Sequence, residues 1–429
     1  AATGVAAAGW GGAVGGPGVE QTTVFGGPER WAEDPETFSR TKFVGVAAGF
    51  RSPYRSGGGR IGATWEKPGA TGSGAAEGGQ GGGEGEGAWA EGPHDAPAAG
   101  GAAGFGAGGA GAHYQGDLIS ASERYARMVL ALTRGERFDV VHAHDWLTFP
   151  AGIAAARATG RPLVVHVHST EFDRAGDGVN QRVYEIERRG MVSAMRVICV
   201  SELTKGIVVR RYGIDASRVD VVYNGIENSR LQPHAGDRIQ KGDRIVLFLG
   251  RITMQKGPEY FIAAAKKVLE KVPEAKFIVA GSGDMELRMV ELAAEMGIGH
   301  RVLFTGFLRG ADVDRVYRMA DCYVMPSVSE PFGIAPLEAI RNDVPTIISK
   351  QSGVSEVLTH ALKVDFWDTH EIANKIVAVL RHPPLGQTLR QHGALELHRL
   401  TWEGAAKACE QTYSRALEAQ GKPLAAARA

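Results

Sequence analysis

The sequence predicts an α/β protein with two Rossmann-like domains, of which the first is incomplete. Three observations support this fold class. From about Asp117 onward, strand-like apolar runs alternate with segments of helical periodicity. These runs are nearly continuous in valine and isoleucine, which is typical of parallel strands covered by helices on both faces. The strands fall into two series, the first with about four members and the second long enough for a complete doubly wound sheet.

Residues 1–116 differ in composition from the rest of the chain. They hold 34 of the 59 glycines and one isoleucine, Ile61, but no leucine or methionine. A segment so poor in large aliphatic side chains cannot bury enough apolar area to offset its loss of backbone entropy. Two interpretations are open: a disordered natural extension, or a stretch that does not encode the intended protein, such as an out-of-frame reading. Residues 1–113 are therefore predicted to be low-complexity coil, with the compact fold starting near Tyr114.

Residues 114–235 are predicted to form the remaining part of the first domain. Apolar residues at helical spacing predict a helix over residues 119–132, which ends before Gly135. The four predicted strands follow at residues 138–143, 163–167, 196–200 and 219–223. A connector over residues 224–242 contains an Asn-Gly pair, a proline and several charges, which is typical of a link between domains.

Residues 236–400 are predicted to form a complete Rossmann-like domain. Two of its helices are expected over residues 258–271 and 285–296. The last helix, residues 401–417, follows the finished sheet, and we expect it to pack back toward the first domain. The six predicted strands lie at residues 245–250, 276–281, 302–306, 322–326, 346–349 and 362–366.

Composition and charge exclude several classes of protein. Lysine plus arginine equals aspartate plus glutamate at 48 each, which argues against a nucleic-acid partner because such proteins usually carry a basic surplus. The three cysteines, Cys199, Cys322 and Cys409, have no disulfide or metal-ligand spacing, which indicates a reducing, cytoplasmic location. No apolar run approaches the roughly 20 residues of a membrane span, and no signal-peptide pattern opens the chain.

Ligands of parallel α/β sheets bind beyond the carboxyl ends of the strands. After the first strand of the second domain, Arg251 and Lys256 lie on a strand-to-helix loop, a favourable place for a diphosphate. The loop lacks the Walker pattern, so ordinary surface charges are the alternative interpretation. After the second strand, Gly281 permits close approach of a ligand, although the same turn is common before a helix capped by a residue such as Asp284.

The most specific pattern is the segment 326–339, which follows the fourth strand of the second domain. Glu330 lies in the loop and Glu338 in the next helix, while Gly333 and Ile334 stand where that helix starts. Each carboxylate can accept hydrogen bonds from two hydroxyl groups of a polyol. One carboxylate would bind a sugar in this way and the other a ribose. The alternative is that Glu330 caps the helix and Glu338 lies on its surface.

Histidines end two strands of the first domain. His142 and His144 end one of them, with Asp145 next, while His166 and His168 end the following one. Alternation puts His166 and His168 on one face, but no third metal ligand is evident, so we predict no metal site. Two interpretations remain: the histidines line a core or cleft, or they form hydrogen bonds to a bound sugar.

Together these residues resemble the family 4 glycosyltransferases, which are retaining nucleotide-sugar enzymes of the GT-B fold, and especially their bacterial glycogen-synthase-like members. The resemblance implies two Rossmann-like domains that face a cleft, and it covers about residues 114–417. It is carried by the segments 141–146, 166–174, 250–257 and 330–338. No part of residues 1–116 matches the strand, Gly-Gly loop and helix with which the family begins. We therefore expect the chain to bind a nucleotide sugar but to transfer it slowly or not at all.

The resemblance implies a role for each residue. Arg251 and Lys256 would neutralise the leaving diphosphate, Glu330 would hold the hydroxyls of the transferred sugar, and Glu338 would hold the ribose. His168 would face the primary hydroxyl of the sugar. Neither a cofactor nor a metal is required. The other substrate-binding candidates are Gly281, Gly333, Ile334 and Asp145.

The implied activity is transfer of a hexosyl unit, with glucosyl favoured, from a nucleoside-diphosphate sugar to a glycan or other hydroxyl acceptor, as in glycogen or glucan synthesis. Two alternatives stay open. One is a nucleotide-sugar-binding protein without transfer, and the other is a different GT-B enzyme such as a sugar-nucleotide epimerase. The sequence does not specify the base or sugar of the donor, the acceptor or the oligomeric state.

Overall fold

The computed structural model describes residues 117–227 and 243–421, which belong to one compact unit. The predictions for residues 1–113 and for most of the connector lie outside the described residues. Within the described part, two α/β domains with parallel sheets form, as the sequence predicted. No helix of these ranges combines the length and the apolar character that crossing a membrane requires.

The first domain is built on a four-stranded parallel sheet in the order β1-β2-β3-β4. The second strand is buried at every position because helices cover both faces of the sheet. Phe138, which was predicted to open β1, is buried but precedes the strand, since pairing with β2 begins at Val141. The strands are β1 (Val141–His144), β2 (Leu163–Val167), β3 (Arg196–Cys199) and β4 (Val219–Val221).

Five helices of the first domain lie among the described residues. Helix α5 begins at a serine cap, with Ser201 Oγ accepting a hydrogen bond of 3.0 Å from the backbone N–H of Thr204. Helix α3 begins with a capping box in which Thr170 and Asp173 satisfy each other's backbone N–H groups. The helices are α1 (Asp117–Thr133), α2 (Asp145–Thr159), α3 (Glu171–Ala175), α4 (Gln181–Ser193) and α5 (Glu202–Tyr212).

The second domain contains a six-stranded parallel sheet in the order β10-β9-β8-β5-β6-β7. This is the strand order of a doubly wound fold. Successive strands are added on one side of β5 up to β7, and then on its other side from β8 onward. Side chains of β5 alternate between two cores, with Val246 in one and Leu247 in the other. The strands are β5 (Arg244–Leu249), β6 (Ala275–Ala280), β7 (Val302–Gly306), β8 (Cys322–Met325), β9 (Thr346–Ser349) and β10 (Leu362–Val364).

Helices cover both faces of this sheet, and the last helix of the chain packs on the first domain instead. Helix α12 contacts β2 and β3 of the first domain, where Ala416 packs against Val164 and Ile198. The helices are α6 (Pro258–Leu269), α7 (Glu286–Glu295), α8 (Ala311–Met319), α9 (Ala335–Arg341), α10 (Thr369–Arg381), α11 (Pro383–Leu397) and α12 (Trp402–Ala419).

Candidate active site

A pocket opens where the carboxyl ends of β5 and β8 meet, at the point where the strand order reverses. This is the position at which ligands of doubly wound sheets bind. Four of the predicted site residues line it: Lys256, Glu330, Gly333 and Ile334. Its other lining residues are Phe248, Leu249, Gly250, Tyr323, Val324, Met325, Ser327 and Ala335.

Lys256 and Glu330 form an ion pair inside this pocket. The Glu330 side chain is 9% exposed and that of Lys256 is 21% exposed. Ser327 Oγ donates a hydrogen bond of 3.2 Å to the same carboxylate oxygen that contacts the ammonium group. A nearly buried ion pair contributes little to stability, since desolvation offsets its attraction. It does place one cation and one hydrogen-bond acceptor side by side, which suits a ligand with phosphate and hydroxyl groups.

Two glycines shape the loops around the pocket. Gly257 has φ +64°, and a Cβ there would lie 2.2 Å from the carbonyl oxygen of Pro326, so the loop carrying Lys256 packs directly on the loop carrying Glu330. Gly281 has φ +138°, and its Cβ would lie 1.9 Å from the carbonyl oxygen of Gly250. Gly281 therefore packs against the start of the loop that carries Arg251 and Lys256 and does not line the pocket.

Arg251 and Glu338 lie near the pocket but are not among its lining residues. Arg251 is exposed, and its Nη2 donates a hydrogen bond of 3.3 Å to Gln255 Oε1. Glu338 is half-buried in α9, and its Oε2 accepts a hydrogen bond of 3.1 Å from the Tyr317 hydroxyl. Burial raises the pKa of Tyr317 well above its ordinary value, and the neighbouring Tyr323 and Glu338 add to the shift, so this hydroxyl stays a donor.

Asp145 and His168 form a second group at the carboxyl ends of β1 and β2. Asp145 Oδ1 accepts a hydrogen bond of 2.8 Å from the backbone N–H of His168. Asp145 has φ +56°, a conformation that is unusual outside glycine and that often marks functional sites. The His168 ring shares a hydrogen bond of 2.9 Å with Nδ1 of His144.

The two groups are joined by contacts between the domains. Ser329 Oγ donates a hydrogen bond of 2.6 Å to Asp173 Oδ1, and Ser201 Oγ donates one of 2.5 Å to the carbonyl oxygen of Pro331. Helix α3, which follows His168 closely, also contacts the turn Met254–Lys256. The residues before and after Glu330 therefore both bond to the first domain.

Comparison with known proteins decides the family. Residues 232–395 match the family model described as glycosyl transferases group 1, and residues 105–230 match the model of glycosyltransferase family 4. An uncharacterized glycosyltransferase of Methanocaldococcus jannaschii is 30% identical over 305 residues, which cover 67% of this chain and 78% of that protein. The chain belongs to the family 4 glycosyltransferases.

Further relatives of this glycosyltransferase agree with the assignment. A glycogen synthase of Mycobacterium tuberculosis is 28% identical over 305 residues, which cover 68% of this chain and 73% of that protein. The solved sucrose-phosphate synthase from Thermosynechococcus elongatus matches with a TM-score of 0.61 at 23% identity, covering 70% of this chain and 79% of that one. An Anabaena protein solved with UDP and glucose matches with a TM-score of 0.58 at 20% identity, covering 69% and 80% respectively. The glycosyltransferase has the GT-B fold that its sequence predicted.

A buried charged network behind α3 was missed by the sequence analysis. Arg174 Nη2 lies 2.5 Å from Glu187 Oε1, and its Nε lies 3.1 Å from Glu171 Oε2. The Tyr212 hydroxyl also donates to Glu187. Burial raises the pKa of Glu187 to about 7, although Arg174 and Tyr212 act in the opposite direction. The network fixes the helix that follows His168, and the signal for it was Arg174 within the segment 166–174.

The structure also brings four histidines of this glycosyltransferase together. Parallel pairing places His144 opposite His166, and His142 lies on the same face of β1. The sequence analysis considered alternation within one strand and not the register of its neighbour, so it did not bring His142 and His144 together with His166. Burial, with neighbouring imidazoles, lowers the pKa of His142 to about 4 and that of His144 to about 3.

Proposed function

We propose that this glycosyltransferase moves a hexosyl unit from a nucleoside-diphosphate sugar to a hydroxyl group of a glycan or small-molecule acceptor. Glucosyl is the favoured hexosyl unit. The transfer retains the anomeric configuration, and glucan synthesis is one form of it. The observation that carries the proposal is the pocket with Lys256 and Glu330 at the switch point of the second domain. The solved Anabaena complexes with UDP, glucose and UDP-glucose support a donor of this class.

Lys256 supplies the positive charge that the departing diphosphate requires. Its ammonium group contacts Glu330, and a bound diphosphate would offer it a stronger anionic partner. Arg251, on the same loop, completes the cationic environment. Preorganised donors of this kind are often worth about 3–4 kcal/mol each in the transition state, because negative charge on the leaving group increases there.

Glu330 and Glu338 hold the polyol parts of the donor. When Lys256 turns to the diphosphate, the Glu330 carboxylate accepts hydrogen bonds from sugar hydroxyls, held in place by Ser327. Glu338, whose position Tyr317 fixes, accepts from the ribose hydroxyls. His168 contacts the primary hydroxyl of the sugar from the first domain, oriented through the bond of its backbone to Asp145.

Transfer then needs neither a metal nor a protein nucleophile. The acceptor oxygen forms a bond to the anomeric carbon on the face that the diphosphate leaves, while the bond between that carbon and the phosphate oxygen breaks. The acceptor proton passes to an oxygen of the departing diphosphate. Positive charge develops on the sugar ring as in glycoside hydrolysis, and the Glu330 carboxylate is placed to stabilise it.

The test begins with ADP-, UDP- and GDP-glucose in a thermal-unfolding panel, because a ligand of the native state raises stability. The donor that stabilises most is then given with glucan or a small acceptor, and the anomeric configuration of the product is read by NMR. An α-linked product from an α-linked donor supports the proposal. A β-linked product refutes retention, binding without any product indicates a binding protein, and an epimerised donor indicates an epimerase.

A further inference from the structure

The cluster of four histidines at the carboxyl ends of β1 and β2 is not used by the proposed reaction beyond His168. Its imidazole rings lie close together: those of His166 and His168 are stacked with centroids 4.2 Å apart, and those of His142 and His144 are tilted by 33° with centroids 4.3 Å apart. His142, His144 and His166 each offer one ring nitrogen, and these three atoms all lie within 4.8 Å of one another. The cluster is therefore a compact set of nitrogen donors.

Several of these nitrogens lack a protein partner. Both ring nitrogens of His166 and Nε2 of His142 are buried, and none forms a hydrogen bond within the described parts of the chain. Burying a polar group without a partner costs free energy, about 1–3 kcal/mol by mutational measurements. His142 and His166 therefore each have at least one buried ring nitrogen without a partner, and a ligand that accepts an electron pair from each ring would satisfy them.

We propose that His142, His144 and His166 bind one divalent transition-metal ion of the Zn²⁺ type in the first domain. Zinc–nitrogen bonds of about 2.0–2.1 Å separate two ligands of a tetrahedral ion by about 3.4 Å. The three ligand atoms lie within 4.8 Å of one another, so the largest of these separations has to shorten by up to about 1.4 Å through rotation of the side chains. Three imidazoles leave the fourth position of the ion for water.

The surroundings of the cluster fit this assignment. Tyr413 Oη of α12 lies 2.7 Å from His142 Nδ1 and can accept its proton, which directs Nε2 of His142 to the ion. Such outer hydrogen bonds orient most metal-bound histidines.

The site lies on the first domain and takes no part in the transfer step described above. His168 stacks on His166, so the ion would add two positive charges beside the residue that faces the sugar. Because positive charge develops on the sugar during transfer, we expect bound metal to slow the reaction. This consequence rests on the proposed function, whereas metal binding itself does not.

The test uses the full chain after treatment with a chelator. Zn²⁺ binding is measured by calorimetry and Co²⁺ binding by visible absorption, which reports coordination geometry directly. We expect one ion per chain with a tetrahedral Co²⁺ spectrum. His166→Leu should weaken binding by at least about 100-fold, and Tyr413→Phe by about 10–100-fold, the usual effect of removing an outer partner.

His392→Leu is the matched control, since it alters the other stacked imidazole pair, His360 and His392, and should leave binding unchanged. Circular dichroism confirms that each variant is folded, and His142→Phe replaces His166→Leu if the latter is not. Equal binding by wild type and the folded ligand variant, or no binding by wild type, would overturn the proposal. Neither measurement depends on transfer, so failure of the proposed function would leave the result intact.

Discussion

Replacing Lys256 with methionine tests the central feature of the donor pocket. The substitution keeps the length of the side chain and removes its charge. The Glu330 carboxylate, 9% exposed, is then left with Ser327 as its one side-chain hydrogen-bond partner within residues 117–227 and 243–421. Removing one partner of a fully buried ion pair costs about 3–5 kcal/mol of folding free energy. Because Lys256 is 21% exposed, we expect water to screen Glu330 and the loss to be about 2 kcal/mol.

The catalytic loss should be larger than this loss of stability. If Lys256 stabilises the leaving diphosphate, its removal costs about 3–4 kcal/mol in the transition state, or roughly 200- to 1000-fold in kcat. The assay is incorporation of radiolabelled sugar at saturating donor, with the free energy of unfolding measured by urea titration on the same preparations.

The double variant Lys256→Met, Glu330→Gln separates the two effects. It removes the unpaired carboxylate and should recover most of the stability, but it should not recover kcat. Lys350→Met is the control, because Lys350 pairs with Asp365 on the exposed surface of the same domain and should cost less than about 1 kcal/mol. A folded Lys256→Met variant with kcat within tenfold of wild type would refute the role given to this residue.

Three further predictions concern the scaffold. Gly281→Ala places a Cβ 1.9 Å from the Gly250 carbonyl oxygen at φ +138°, so urea titration should show a loss of at least about 3 kcal/mol; an unchanged midpoint would contradict it. Gly353→Ala places a Cβ 2.5 Å from Cβ of Ser201 in the first domain, so it should push the domains apart and raise the radius of gyration in X-ray scattering; an unchanged radius would contradict it. The pKa of Glu187 is about 7 in the folded protein, against 4.5 for an ordinary glutamate. The stability contributed by the protonated side chain is therefore fully present below pH 4.5 and is lost as the pH rises through 7. Relative to Glu187→Gln, wild type should therefore lose up to about 3 kcal/mol between pH 4.5 and pH 8, and a constant difference in unfolding free energy would refute this assignment.

Most strands were predictable because a strand buried on both faces appears in the sequence as a short continuous run of apolar residues. Strands β2 and β9 lie where the apolar runs placed them, since each buried run begins and ends with its strand. Strand β7 also has its predicted bounds, although it is only partly buried. The start of β1 was misplaced because Phe138 is buried without pairing to a neighbour. An apolar residue in a loop and one in a strand look alike in sequence.

The site residues likewise divide into those that the sequence predicts and those that depend on contacts between distant segments. Lys256, Glu330 and Gly333 were predictable because each follows a strand directly, and the carboxyl ends of neighbouring strands meet at one edge. The histidine cluster depends on the register between β1 and β2, which no pattern within either strand specifies. The position of Arg251 outside the pocket lining depends on how its loop packs, and that packing is set by contacts between distant segments of the chain.

The donor pocket is not independent of the first domain. Ser329 and Pro331 flank Glu330, and both bond to the first domain, through Asp173 and Ser201. Glu356 of the second domain adds a further link, accepting hydrogen bonds of 2.9 and 2.7 Å from the first N–H groups of α5, where a carboxylate interacts favourably with the helix dipole. A rotation of one domain against the other would therefore move the Glu330 loop directly. Glu330, the carboxylate proposed to hold the sugar, is thus flanked by residues that bond to the other domain, so we expect any movement of one domain against the other to change the alignment of a bound donor.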